Sequence, residues 1–303
     1  MKTMNEFKEF STEECAVSLW VFKSSRTRAF SVPLSENMIG EFKKIKNHSL
    51  NDVTNFTLYD SGAAIDKDTA MVLNGDIDQW SNILKLISEP VEERYVRSIN
   101  GLQNNLAYTV IFSHNGRRLY AVKKTSSRIG SKKSNNFFDA LFDGEKLDVA
   151  ENLVFAISKY FDFFYLEENF LILDRSNFES ILGYKDHYKK NFEELVKDTN
   201  FISKVGNLDV LINYVNENAI QLGRMNAIKE KKKYEDSIYW DSVMKLNASE
   251  QWGIDITSTG KINISPEKVK DVVSILLGHR VKSLCDREIS DASGLMLIKN
   301  KQN

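Results

Sequence analysis

Residues 15–23, CAVSLWVFK, alternate by side-chain type, with Val17, Leu19 and Val21 on one face of an extended chain and Ser18, Trp20 and Phe22 on the other. RAFSVPL (28–34) follows after a short polar turn, so the pair predicts a hairpin. The period then changes. In SENMIGEFKKIKNH, Ser35 stands as an N-cap ahead of Met38, Ile39, Phe42 and Ile45, and the spacing predicts a helix ending near Asn47. NFTLYD (55–60) reads as a strand, and DIDQWSNILKLISE (76–89) as an amphipathic helix stopped by Pro90.

The clearest local signal is LAYTVIFSHNGRRLYAVKK. Two β-rich runs flank Asn115-Gly116, a dipeptide that accepts the positive φ angles of a type I′ turn, which predicts a hairpin over 105–124. KYFDFFYLEENFLILD (159–174) predicts a second hairpin, its strands separated by Glu167, Glu168 and Asn169. Beyond it apolar positions fall three and four apart, as at Leu208, Leu211, Ile212 and Val215, and predict long helices around a common core. SPEKVKDVVSILLGH adds a helix with Ser265 as cap, Pro266 at its first position and an end near Gly278. Short strand-like pieces in VKSLC and GLMLIK close the chain.

The class is therefore α+β: mixed strands and helices with antiparallel hairpins, followed by a mainly helical C-terminal half. A chain of 303 residues with 42% apolar content suits two packed units, an α/β unit over 1–95 and a second over 96–303 that holds both hairpins and a helical part, 175–303. Three prolines, no low-complexity run and no internal repeat predict close packing without a flexible linker.

Apolar runs such as DVVSILLG stop far short of the roughly 18–20 residues that cross a bilayer, and the opening MKTMNEFKEFSTEEC lacks the basic start and apolar centre of a signal peptide. A cytoplasmic protein is expected. Cys15 and Cys285 stand at opposite ends and read as small core residues, while His48, His114, His187 and His279 are scattered singly. The sequence predicts neither a metal site nor a cofactor.

Charge alters this picture. The formal net charge is only −1, yet from Val96 to Phe138 there is no Asp or Glu, while Arg97, Arg117, Arg118, Lys123, Lys124, Arg128, Lys132 and Lys133 supply eight positive charges. From Ser134 to Asn200 the bias reverses, with fourteen acids against seven bases. Arg117, Arg118, Lys123, Lys124, Arg128, Lys132 and Lys133 lie on the first hairpin and the Ser, Gly and Asn-rich loop after it, a composition suited to nucleic-acid phosphate. Such contacts carry no base sequence. The plainer reading is a solvated loop neutralised by acids elsewhere. A second basic run, Arg224, Lys229, Lys231, Lys232 and Lys233, falls late in a helix, where cations also favour the dipole; it reads as a solvated helix end or an extension of a DNA track.

FFDALFDGEKLD gathers Asp139, Asp143, Glu145, Asp148 and Lys146, residue types that a magnesium nuclease uses. Asp143-Gly144 reads equally as a turn, and acids near Asp148 and Glu151 would complement the start of a helix. No catalytic residue is assigned. Asp162, among Phe161, Phe163 and Phe164, reads as an outward-facing strand residue; burial with a raised pKa would instead mark a site. The surrounding aromatics read as core rather than as a stacking surface for single-stranded bases.

Residues 137–184, FFDALFDGEKLDVAENLVFAISKYFDFFYLEENFLILDRSNFESILGY, carry an LFDG turn, a helix-length spacer, an FDFFYLEENFLIL hairpin and NFESILGY opening a helical half. This stretch resembles the KwaB domain family of the Kiwa anti-phage defence system, and the overall layout, down to VKSLCDREI, fits as well. The resemblance implies a protein working beside a small multi-pass membrane protein, KwaA, which would bring it to the inner membrane. It also implies binding of phage DNA without marked sequence specificity, hindering replication and transcription. No catalytic motif comes with the resemblance, so the DNA-contact residues rest on charge alone. Exposed helical faces suggest a homodimer or higher oligomer. The competing readings are a magnesium nuclease and a membrane-associated adaptor that does not bind DNA.

Overall fold

A computed structural model of the protein describes residues 2–63, 66–75, 77–87, 95–96, 105–125, 140–143, 146–149, 157–282 and 289–291. The expected α+β class holds, with strands and antiparallel hairpins in the first part and helices after residue 175. The chain gathers into two units: Met1–Tyr59 with Ile65–Leu182, and Asp60–Ala64 with Gly183–Asn303.

In the first unit the elements run α1 (Lys2–Glu9), β1 (Ala16–Lys23), β2 (Ala29–Val32), α2 (Glu36–Asn51), β3 (Asn55–Leu58), β4 (Thr69–Asn74), α3 (Asp78–Leu86), β5 (Asn105–His114) and β6 (Arg117–Lys124). They continue as β7 (Ala140–Asp143), β8 (Lys146–Val149), β9 (Phe163–Leu166), β10 (Asn169–Ile172) and α4 (Arg175–Leu182). Eight of the strands form one sheet in the order β2-β1-β5-β6-β9-β10-β4-β3, in which only β3 and β4 are parallel. β7 and β8 pair separately.

The sheet is covered on both faces, which explains its sequence. Leu19, Val21, Val110, Phe112, Leu119, Ala121 and Phe164 share one cluster with Phe7 of α1 and Phe42 of α2. Alternate residues turn to the other face, where the Trp80 indole of α3 meets the rings of Tyr120, Phe163, Tyr165 and Phe170 at centroid distances of 5.3–5.9 Å. With both faces dry, strands need not alternate apolar with polar. For that reason β4 escapes a search for alternation: Ala70, Met71 and Val72 are consecutive and all buried. α1 escapes a search for helical periodicity because its eight residues carry few apolar side chains.

α2 is capped as expected, Ser35 Oγ accepting from the Met38 N–H at 3.4 Å. It runs to Asn51 rather than to Asn47 because Ser49 Oγ donates back to the Ile45 carbonyl at 2.8 Å and Leu50 packs into the core. Lys46, only 2% exposed, donates to the carbonyls of Lys8 at 3.2 Å and Phe10 at 3.0 Å, satisfying acceptors at the end of α1. Burial lowers the Lys46 pKa to about 8, against partial compensation from Cys15. Between about pH 8 and the ordinary lysine value of 10.5, the unfolded chain then holds more protons than the folded one. Stability conferred at this position is therefore expected to rise with pH across that window. Urea unfolding of the parent and of Lys46→Met over this range checks it, the difference between the two growing in the parent's favour toward high pH.

The second unit comprises α5 (Tyr184–Leu195), α6 (Thr199–Lys204), β11 (Val205–Gly206), α7 (Leu208–Val215), α8 (Ala219–Lys231), a single 3-10 turn (Lys233–Glu235) and α9 (Ser237–Ser249). β12 (Asp255–Ile256), β13 (Ile262–Asn263), α10 (Val269–Leu277), β14 (Arg280–Lys282) and β15 (Ile289–Asp291) follow. The long helices expected here are short instead. Asn207, Asn216, Glu217 and Lys232 adopt positive φ, and Asp198, Asn218 and Asp236 each cap a new helix by accepting backbone N–H groups. The apolar spacing survives these breaks, since Leu211, Val215, Leu222, Met225, Ile228, Trp240, Val272 and Leu276 share one core. α10 begins at Val269, not Pro266, because Ser265 to Lys268 close a turn of their own, the Lys268 N–H donating to the Ser265 carbonyl at 3.1 Å. Gly278, at φ 71°, ends that helix as expected. VKSLC contributes to β14, while GLMLIK and Cys285 lie outside the described residues; Cys15 is buried.

Candidate nucleic-acid interface

The β5–β6 hairpin turns on Asn115 (φ 47°) and Gly116 (φ 76°), both in the left-handed region that the sequence anticipated. Its register sets His114 opposite Arg117 and Tyr108 opposite Lys123. β6 is an interior strand, bonded to β5 on one side and β9 on the other, so its cations project only at its two ends.

At the turn end, Arg117 and Arg118 are exposed. The Arg117 guanidinium donates to Glu167 Oε1 at 2.6 Å and lies 5.9 Å from the Phe10 ring centroid. Glu167 belongs to the neighbouring turn, where it and Glu168 join β9 to β10 with φ of 47° and 63°. An exposed pair of this kind contributes about 0–1 kcal/mol, so a phosphate can displace Glu167 at small cost.

The other end is built differently. Lys123 Nζ lies 2.5 Å from Asp162 Oδ1, which also accepts from Asn177 Nδ2 at 3.1 Å, while Asp162 Oδ2 accepts from the Lys124 N–H at 2.7 Å. Asp162 is 1% exposed, not the outward-facing strand residue its neighbours suggested. It precedes β9, where its own N–H donates to the Val122 carbonyl at 2.8 Å and its carbonyl accepts from Leu173 and Asp174, both at 2.8 Å. Those bonds turn its side chain inward. Burial pushes its carboxyl pKa up, against the opposing pull of Lys123, the Lys124 N–H and Asn177. Lys123 is therefore the counter-ion of a buried acid. The Lys124 side chain is half-buried and has no ion-pair partner among the described residues.

Arg128, Lys132 and Lys133 lie outside the described residues. In the second basic run, Lys229 pairs with Glu194 and donates to Asn191, Lys231 lies 2.6 Å from Asp60, and Lys232 lies 3.4 Å from Glu235. Lys233 sits over the Tyr239 ring at 5.0 Å, and Arg224 donates to Gln221 at 3.4 Å. Acids supplied by neighbouring segments thus take up three of these five cations. Of the nuclease residues, Asp139 and Glu145 fall outside the described residues, and Asp143 and Lys146 are register partners in the β7–β8 hairpin. Among the described residues no three His, Cys, Asp or Glu side chains come together as a metal site.

A family model described as Kiwa protein KwaB-like matches residues 102–285, a span that begins before β5 and continues past β14. The chain belongs to the KwaB-like family. This membership places the KwaB-like chain in the Kiwa anti-phage defence system, which has other subunits. No curated protein and no solved structure matches it. Among the described residues of the KwaB-like chain, no helix is long and apolar enough to cross a membrane.

Proposed function

We propose that this protein is the DNA-binding effector of its Kiwa system. It holds phage DNA through phosphate contacts with little regard to base sequence and hinders replication and transcription. It acts as a homodimer or higher oligomer beside a KwaA-like membrane protein that recruits it to the inner membrane. The observation that supports this reading is the run from Val96 to Phe138, with eight cations and no acid, in a chain of net charge −1. Within it, Arg118 and the exchangeable Arg117 at the hairpin tip, Lys124 at the far end of β6, and Arg128, Lys132 and Lys133 are the phosphate ligands; Lys123 serves as anchor.

A salt titration of binding to a duplex of unrelated sequence tests this. Each phosphate neutralised contributes about −0.9 to the slope of log K against log salt, so neutralising Arg128, Lys132 and Lys133 together is expected to flatten the slope by up to about 2.7. An unchanged slope would remove the loop from the interface. A parallel series with magnesium tests the nuclease alternative: the duplex is expected to stay intact, whereas cleavage lost in Asp143→Ala would replace the proposal.

A further inference from the structure

Tyr160 is an aromatic residue held outward by its neighbours. The Ser158 N–H donates to the buried Tyr108 hydroxyl at 3.2 Å, the Tyr160 N–H donates to Ser158 Oγ at 3.2 Å, and the Phe161 N–H donates to Ser49 Oγ at 3.0 Å. Phe161 itself is buried, 5.6 Å from Phe164 between ring centroids. Fixed on both sides, Tyr160 remains 48% exposed with its ring 4.5 Å from that of His48, which is exposed on α2.

His48 of this pair, together with Lys159 next to Tyr160 in the chain, lines a groove of about 390 Å³, and the Tyr160 ring stands at its edge against His48. Met38, Glu41, Ile45 and His48 follow one another by three, four and three residues, so a single face of α2 forms one wall. Met38, Ile45 and Ile157 give the lining its apolar part, and Lys44, Lys159 and His48 its basic part. The acid in the lining, Glu41, is already met by Lys44 at 2.7 Å. The volume lies in the range of about 300–1,000 Å³ typical of small-ligand sites.

We infer that this groove takes an unpaired nucleotide, its base against the Tyr160–His48 pair and its phosphate at Lys159 and Lys44. An aromatic platform flanked by cations is the combination that binds single strands, because every base offers a flat face and every linkage a charge. A duplex keeps its base faces stacked inside and cannot present them. The inference rests on the nucleic-acid reading above and adds a strand preference to it.

The test is fluorescence anisotropy of the full chain with a labelled oligothymidine, an abasic strand of equal length and a duplex. Tyr160→Ala is expected to weaken oligothymidine binding about 5- to 150-fold. Abasic and duplex binding should change little, and Tyr160→Phe should keep most of the affinity. Equal loss on the base-bearing and abasic strands, or no loss on either, overturns the inference and leaves the phosphate reading intact. Should the parent bind no strand at all, the nucleic-acid reading fails, and titration with thymidine monophosphate decides the groove. Binding that needs the Tyr160 ring would assign it to free nucleotides, and no binding would overturn it. Because Tyr160 is exposed, both variants are expected to unfold at the parent's temperature.

Discussion

Asp162→Ala is expected to destabilise the protein by about 3–5 kcal/mol, because removing one partner of a buried pair leaves the other uncompensated. The carboxylate ties four places together: the Lys123 ammonium, the Lys124 backbone, Asn177 at the start of α4, and Asp174 through Asn177, whose Nδ2 also donates to Asp174 Oδ2 at 3.0 Å. Thermal unfolding should register a midpoint roughly 6–20 °C lower, given about 2–4 °C per kcal/mol for a unit of this size. Lys123→Met should also destabilise, since it strands a carboxylate that is 1% exposed. The double variant should lose less than the sum of the two singles, because it removes both charges at once. This matters for reading DNA assays. A Lys123 variant that loses affinity through a loosened β6 would imitate the loss of a phosphate contact. If Lys123→Met kept the parent's midpoint while losing DNA affinity, the ammonium would be a ligand after all.

Trp80→Ala should cost a similar amount, about 3–5 kcal/mol, for a different reason. The indole is fully buried and meets Tyr120, Phe163, Tyr165 and Phe170 edge-on, joining α3 to three strands of the sheet. Its truncation opens a cavity among side chains already fixed by the sheet register, so little relaxation can fill it. Trp80→Phe should retain most of the stability, because the indole N–H is buried without a hydrogen-bond partner among the described residues and its removal sacrifices no bond. Guanidinium unfolding of the two variants separates the contributions. A phenylalanine as damaging as alanine would mean that the site depends on the full indole and that a single ring cannot hold the strands around it.

The hairpins at 105–124 and 159–174 were legible from local chemistry. Asn115-Gly116 specifies its turn, and the strands of the second hairpin are dense in β-forming aromatics. The helical half was legible in its apolar spacing but not in its breaks: Asn216 suits the left-handed region by type, but Glu217 and Lys232 do not, and adopt it where the helices on either side pack into one core. At the site, the excess of cations after Val96 was visible by counting, and the division of labour among those cations was not. Glu167 lies fifty residues from Arg117 and Asp162 thirty-nine from Lys123, separations across which a linear pattern carries no pairing information.

The class of the fold, its hairpins, the separation of charge along the chain and the resemblance that the family match bears out are written in the order of residues alone. These follow from side-chain type at short range, where sterics and hydrophobic periodicity act. Tertiary structure alone decided the strand order, the burial of Asp162, the engagement of Lys123, Lys229 and Lys231 by acids, and the exposure of Tyr160 amid buried aromatics. An ionic side chain is solvated, paired or buried according to what the fold brings within a few ångströms of it, and that distance does not exist until the sheet and helices have closed.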